Sequence, residues 1–493
     1  MRLRRLLLAL ISIPFLCPTF TSAQIPCLGL NNGLSFNDNL VCVVPQLYGP
    51  QGLVGVPSPD INFYSGVPLI TLTLTNVPSF VNASKSNFLL AANQTIAHQV
   101  ATLPLVTPAA GMSFVFDKSL GVFVASNDSF GPIFSERAST IGRRRLGLGF
   151  SYQYMNFDAL DGIDLRAFPT LFVQSNPCDP VQSTCSIYTH DFITASNRIG
   201  MKINQYTAFI TFGITRRIDI SAAVPVVNAS FSAAADASIV PNSSRPGELS
   251  FDFSPPSHGT CLRTLSSALN PNYCSESQFS NSQRSSGIGD STFRFKDVIK
   301  TWKTFALAAG FEVRVPSGDE KNLLGSGAIG IRPMLIVSRP GRISPHANAS
   351  YQWNGESILA GSIVAGNPDD KTKHNLPAQA LYSAGVELGM TRRLTATIDL
   401  VGQTVVNASR THLVQALAPG LCESQSTCVN PGQPIPITTV ESYTGTYSAN
   451  DASLGLRFLP FGRLLVSASV LLKLDNGGLR STAIPVVSVT QTF

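Results

Sequence analysis

The chain has 493 residues, of which 44% are hydrophobic and only 13% charged. That apolar content excludes wholesale disorder, and so little charge excludes a solvated acidic or basic tail and a coiled coil. The formal charge of +6 drops by three, to +3, without Arg2, Arg4 and Arg5, a surplus too small to point to a nucleic-acid partner.

Residues 1–23 read as a secretory signal peptide. Three arginines precede the apolar stretch Leu6–Leu16, and Thr21-Ser22-Ala23 supplies small residues before a cut near Gln24. Beyond it no run reaches about 18 apolar residues, so a bundle of transmembrane helices is excluded. Residues 24–140 are expected to form a periplasmic or plug-like extension, proline-rich at Pro45, Pro50, Pro57 and Pro59. Leu89, Ile96 and Val100 recur near helical spacing within Phe88–Leu103, and Met112–Phe116 and Leu120–Val124 flank a turn at Asp117-Lys118-Ser119.

Residues 141–493 carry one rhythm: a run of alternating apolar and polar residues, then a connection, then another run. In one run Leu394, Ala396, Ile398 and Leu400 alternate with Thr395, Thr397 and Asp399. A period of two puts each set on one face of a strand, and nine to eleven tilted residues span a bilayer. Twelve strands are expected, at approximately 145–156, 198–213, 218–229, 288–298, 304–315, 328–337, 343–353, 379–389, 394–406, 443–459, 464–474 and 482–493. Short connections such as Ile214–Arg217 and Met390–Arg393 alternate with long ones such as Ser230–Ser286 and Asn407–Ser442. Short periplasmic turns and long outer loops are the pattern of an antiparallel outer-membrane barrel. The fold class is all-β, a transmembrane β-barrel of about twelve strands, or fourteen if the hairpin at 112–124 joins the wall.

With the apolar set against lipid, the inward set includes Asp219, Arg294, Lys296, Glu312, Arg314, Arg332, His346, Glu387, Asp399, Arg457 and Lys473. A lipid-facing Arg or Lys near the midplane costs about 2–4 kcal/mol, so these side chains must face water or each other. They serve either as a ladder of lumenal ion pairs or as a charge-lined conduit, and the two roles are compatible. Tyr152, Tyr154, Tyr351, Trp353, Tyr382, Phe458 and Phe461 sit near strand ends, as interfacial belts require.

Once Cys17 leaves with the signal, eight cysteines remain, in the local pairs Cys27/Cys42, Cys178/Cys185, Cys261/Cys274 and Cys422/Cys428. An even count in an exported chain suggests disulfides, with local pairing the simplest choice. The last three pairs fall in outer loops under this threading. No Cys-x-x-Cys pair and no clustered histidine speaks for a metal, and no cofactor is expected. His346, Asn348 and Ser350 alternate on one strand, but residues i and i+2 lie about 7 Å apart, too far for a nucleophile–base pair. No enzyme is expected. The last strand, Thr482–Phe493, alternates and ends in Phe493, similar to the signal read by the outer-membrane insertion machinery.

Three motifs carry a family resemblance. They are Ile214-Thr215-Arg216-Arg217-Ile218-Asp219-Ile220 with Val224-Pro225-Val226, Gly287-Ile288-Gly289-Asp290 leading into Phe293-Arg294-Phe295-Lys296, and Val315-Pro316-Ser317-Gly318-Asp319. Over Ser196–Phe493 the chain resembles the outer-membrane family named for the meta-pathway of phenol degradation, related to channels for hydrophobic compounds. Gly287 and Gly289 allow a bend at the barrel rim, where Asp290 and Asp319 can cap turns. The resemblance implies passage or binding of hydrophobic or aromatic small molecules. The expected function is an outer-membrane channel for small molecules in a Gram-negative cell, with lipid, the insertion machinery and a solute as partners and no nucleic acid. The alternative is a structural or surface-binding barrel whose disulfide-closed loops recognise a partner.

Overall fold

The computed structural model describes residues 40–44, 47–48, 56–57, 80–82, 95–97, 99–100, 114–117, 122–125, 135–174, 185–186, 191–242, 251–253, 259–265, 273–302, 304–360, 373–421, 427–428 and 432–493. Twelve antiparallel strands form the wall. They are β1 (Leu146–Phe157), β2 (Phe192–Gly213), β3 (Ile218–Val240), β4 in two segments (Tyr273–Ile288 and Ser291–Thr301), β5 (Ala306–Val315) and β6 (Gly330–Ser338). They continue as β7 (Ile343–Asn354), β8 (Ala378–Gly389), β9 (Leu394–Ala418), β10 (Ile435–Phe458), β11 (Leu464–Lys473) and β12 (Ala483–Thr492). Each pairs with the next, and β12 closes on β1 from Val486↔Gln153 to Thr492↔Gly147. The chain is therefore a closed, twelve-stranded transmembrane β-barrel. The hairpin near residue 117 pairs Phe114–Asp117 with Val122–Ala125 as a separate two-stranded sheet, so the fourteen-strand option falls away.

Alternation sorts the faces. Leu148, Phe150, Ile210, Phe212, Ile220, Val224, Phe293, Phe295, Ile398 and Leu400 point outward and are exposed, while Gln153, Thr211, Thr397, Ser453 and Ser488 point inward and are buried. Placing Arg at Leu400, on the oily outward face of β9, is expected to lower stability by about 2–4 kcal/mol. Urea unfolding in lipid vesicles reads that loss, and the same change at an outward position of the loop end, such as Ser232, leaves the midpoint unchanged.

β2, β3, β9 and β10 run 22, 23, 25 and 24 residues, about twice what a bilayer needs. The expected loop Ser230–Ser286 accordingly holds the upper parts of β3 and β4, and Cys261 and Cys274 lie on strands rather than in irregular loop. The cause is an inversion of the pattern. On β3 the outward residues change from Ile220, Val224 and Val226 to Asn228, Ser230 and Ser232, and the inward ones become Val227, Ala229, Phe231, Ala233 and Ala235. On β2 the change falls between Tyr206 and Asn204. Asn204 is in register with both Asn228 and Tyr154, and Asn228 with Ser286, so the switch lies at one level across four strands. Below that level the outside is oily, and above it the inside is.

The loop end thus has its own apolar core. Leu40, Val41, Val43, Val44, Leu47, Tyr48, Ile96 and Ala97 pack there against Phe172, Ile199, Met201, Phe231, Phe279, Leu323 and Leu324. Residues 95–97 and 99–100 are helical, within the expected span Phe88–Leu103. The Tyr48 hydroxyl donates to Asn197 Oδ1 at 3.0 Å, and burial pushes the phenol's pKa up, so it stays a donor. Cys261 and Cys274 form a disulfide. Cys42 is disulfide-bonded, and its expected partner Cys27 lies outside the described residues. Cys185 and Cys428 are register partners in a two-stranded sheet. Cys178 and Cys422, the other halves of two expected pairs, lie outside the described residues.

Candidate functional site

Strand alternation delivers a set of charged side chains to the lumen, and residues 135–141 cross between them as a strap. Ser135 Oγ donates to Ser383 Oγ at 2.8 Å, the Ala138 amide to Ser338 Oγ at 3.0 Å, the Ile141 amide to Asp219 Oδ2 at 2.9 Å and Thr140 Oγ1 to the Arg216 carbonyl at 3.0 Å. Ala138 packs against Ala306, Ala308 and Ile336. The strap then leaves at the turn end and becomes β1.

Two ion clusters flank it. On the β3–β6 wall Arg294 pairs with Glu312 and with Glu136 of the strap, and Arg332 Nη2 reaches Glu312 Oε1 at 2.5 Å. Lys296 Nζ lies 3.6 Å from Glu136 and 3.7 Å from Asp219, and donates to the strap carbonyls of Arg137 (3.3 Å) and Ser139 (3.1 Å). On the β7–β10 wall Arg137 pairs with Glu387, its Nε donating at 2.9 Å. His346 bridges Glu387 (3.7 Å) and Asp399 (2.6 Å), and Arg457, fully buried, sits in the field of Glu387 and Asp399. The strap's two neighbouring charges therefore face opposite walls, Glu136 toward the cationic one and Arg137 toward the carboxylates. Buried charges persist only when paired in this way.

Of the eleven lumen candidates, nine fall in these two clusters. Arg314 stands higher, its Nη2 donating to Asn354 at 2.9 Å and its Nε 3.7 Å from Asp290. Lys473 lies at the loop end, 3.3 Å from Asp158. The rim motif sits where β4 breaks. Pro225 has no amide to offer there, and Gly289 N donates to its carbonyl at 2.8 Å. Asp290 accepts from Gly318 N (3.1 Å), Ser326 N (2.7 Å) and Ser326 Oγ, pinning the loop after Pro316. A Cβ at Gly289 or Gly318 would meet the Leu324 carbonyl at 3.0 or 2.6 Å. Asp319 caps the short turn Glu320–Asn322, and Gly287 lies on β4 just below the loop. The residues missed from sequence are Glu136 and Arg137, whose only signal is an adjacent pair of opposite charges.

Above the strap lies a cavity of about 130 Å³, lined by Glu136, Arg332, Met334, Asn348, Leu381, Ser383 and Tyr447 with Gln99 above. At the loop end Asp158 ties β1 to the β11–β12 hairpin. Burial pushes its carboxyl up, but hydrogen bonds from Thr482 and Lys473 outweigh that and hold it below the ordinary carboxylate range. A depressed pKa contributes stability above the unfolded value, near 4 (~3.9 for Asp), that is lost as pH falls through the folded one. Asp158→Asn is therefore expected to lower the urea midpoint at neutral pH and to match wild type in strong acid. An equal deficit at both pH values contradicts this tie.

A closed barrel with an oily belt and a charged, polar interior defines a membrane-spanning protein. The family described as "Putative MetA-pathway of phenol degradation" matches residues 198–414, in line with the motif resemblance. No curated protein matches. Solved structures similar to the chain include an outer membrane channel from Pseudomonas putida F1, at 8% identity and TM-score 0.38, covering 72% of this chain and 98% of that one. A Pseudomonas aeruginosa FadL homologue is similar at 11% identity and TM-score 0.28, covering 78% and 99%. The Ralstonia pickettii toluene transporter TbuX is similar at 11% and TM-score 0.23, covering 71% and 90%.

Proposed function

We propose that the protein is an outer-membrane channel for small molecules, hydrophobic or aromatic ones included, closed at rest by the strap of residues 135–141. The proposal includes export through residues 1–23, insertion guided by the strand ending at Phe493, and short turns on the periplasmic side. One observation carries it: a partly open cavity of about 130 Å³ lined by both charged and apolar side chains, directly above a strap held by side-chain contacts. That volume is close to the roughly 150 Å³ of apolar cavities known to take up benzene. Arg332, Asn348 and Ser383 offer polar handles beside Met334, Leu381 and Tyr447, the mixed lining of small-molecule sites. Uptake of a radiolabelled aromatic solute into proteoliposomes tests it. Uptake above that of empty vesicles, increased when the strap charges are removed, is expected; uptake equal to empty vesicles for both forms overturns it.

The second reading is a surface-binding barrel. It is supported by the Cys261–Cys274 staple, which presents Leu262 at 54% exposure. Deleting residues 259–275 distinguishes the two: a channel keeps its permeability, and a recognition barrel loses its partner.

A further inference from the structure

The turn end carries the protein's positive charge. Residues 142–145, 214–217, 297–305, 339–342, 390–393 and 459–463 hold, among the described residues, eleven arginines and lysines and one side-chain carboxylate, Asp297. Asp297 is taken by Arg217 at 3.7 Å. The loop end is different, because carboxylates are interspersed among its cations: Arg198 pairs with Asp236, Arg263 with Glu276 and Arg166 with Asp164, while Arg284 is exposed with no ion pair among the described residues. Like charges crowd at the turn end instead, where Arg145 lies in the repulsive field of Arg463.

The arginines sit on a built scaffold. The β2–β3 and β8–β9 turns share one pattern, glycine, an apolar residue, Thr-Arg-Arg and a second apolar residue, as Gly213-Ile214-Thr215-Arg216-Arg217-Ile218 and Gly389-Met390-Thr391-Arg392-Arg393-Leu394. In both, the threonine hydroxyl accepts from the amide of the second arginine, at 3.0 and 3.1 Å. In both, the amide of the hydrophobic residue before that threonine donates to the carbonyl of the residue after the arginines, at 2.9 Å. Arg217 and Arg342 then fold onto the carbonyls of the adjoining turn. Arg339, Arg392 and Arg393 are exposed and form no ion pair among the described residues. At the same level the outward face ends in exposed anchors, Trp302 at 37%, Phe461 at 70% and Met390 at 53%, with Lys300 5.0 Å from the Trp302 ring centre.

From this geometry we infer that the turn-end rim is a binding surface for the phosphodiester headgroups of anionic glycerophospholipids in the leaflet it meets. Three features select that occupant. The ring follows the whole circumference, as a surrounding leaflet does and a single protein partner does not. It stands at the boundary of the oily belt, beside aromatic anchors that favour the headgroup layer. Its cations are mostly guanidiniums, which match phosphate oxygens bidentately. Juxtamembrane basic residues are drawn to anionic leaflets and released by salt. This inference rests on the barrel being inserted in a bilayer, and not on its carrying a solute.

The test uses the full chain refolded into vesicles of phosphatidylcholine mixed with phosphatidylglycerol, extracted gently, with the co-purifying lipids counted by native mass spectrometry. Flotation with the vesicles checks insertion separately, so a failure there indicts the barrel and not the rim. Phosphatidylglycerol is expected to be enriched about fivefold or more over its bulk ratio, with the enrichment lost at high salt. The triple variant Arg339→Gln, Arg392→Gln, Arg393→Gln, with heat-modifiable migration unchanged to establish folding, is expected to lose most of it. Retention at the bulk ratio, or an enrichment unchanged in the variant, overturns the inference. So does displacement of the lipid by soluble polyaspartate at equal charge, which assigns the rim to an acidic protein partner.

Discussion

Replacing Glu312 by Gln is expected to lower stability by about 3–5 kcal/mol, the usual consequence of removing one partner from a buried charge pair. The size follows from the neighbourhood. Arg294 and Arg332 both lean on this one carboxylate, whose side chain is only 7% exposed. Gln fills the same space and can still accept a hydrogen bond, so the loss is one of charge and not of shape. Arg294 keeps Glu136, and Arg332 is left facing a cationic wall. Urea titration of the heat-modifiable folded form measures the effect. Replacing Arg332 by Gln in the same chain is expected to recover part of it, because the stranded cation leaves too. An unchanged midpoint in the single variant contradicts the pairing.

The other large effect concerns opening. Replacing both Glu136 and Arg137 by Gln removes the strap's charges from both walls at once. The Ser135 and Ala138 hydrogen bonds remain as neutral contacts, at about 1 kcal/mol each, and the Ile141 amide to Asp219 and Lys296 to the Arg137 and Ser139 carbonyls remain as charge-assisted ones. The buried ion pairs that fasten Glu136 to Arg294 and Arg137 to Glu387, however, are lost. Planar-bilayer recording is expected to change from rare, small openings in the wild type to frequent ones in the double variant. Steady closure in both contradicts a gating role for the strap. Each single substitution should act in the same direction but more weakly, since one wall still holds.

How far this was readable in the sequence depended on the range of the physics. Alternation is local, so β5, β8 and the lower part of β9 are visible in their own residues. So is the inward placement of Glu312, Glu387 and Asp399, because charge on the oily face is too costly. Phe231 and Ala233 defeated the same rule. Above the Asn204–Asn228 level water is outside and the apolar residues turn in, so a search for oily outward faces ends the strand too early. The strap was hidden for a different reason. Glu136 and Arg294 are 158 positions apart in the chain and Arg137 and Glu387 are 250 apart, and no periodicity links residues that meet only after the wall closes. The cysteines stand between these cases: the local pair Cys261/Cys274 was readable from spacing, whereas the register that sets Cys185 beside Cys428 depends on the tertiary fold.

The most direct measurement places a nitroxide label in turn at Ile398 and at Thr397, neighbours on β9 that are 54% exposed and buried respectively, in vesicle-inserted protein. Collision with oxygen, which partitions into lipid, is compared with collision with a water-soluble nickel chelate. The label at position 398 is expected to be relaxed strongly by oxygen and hardly by nickel, and the label at 397 to lose that oxygen response. A lipid-exposed label at 397, or no difference between the two positions, contradicts an oily outside wrapped around a charged lumen.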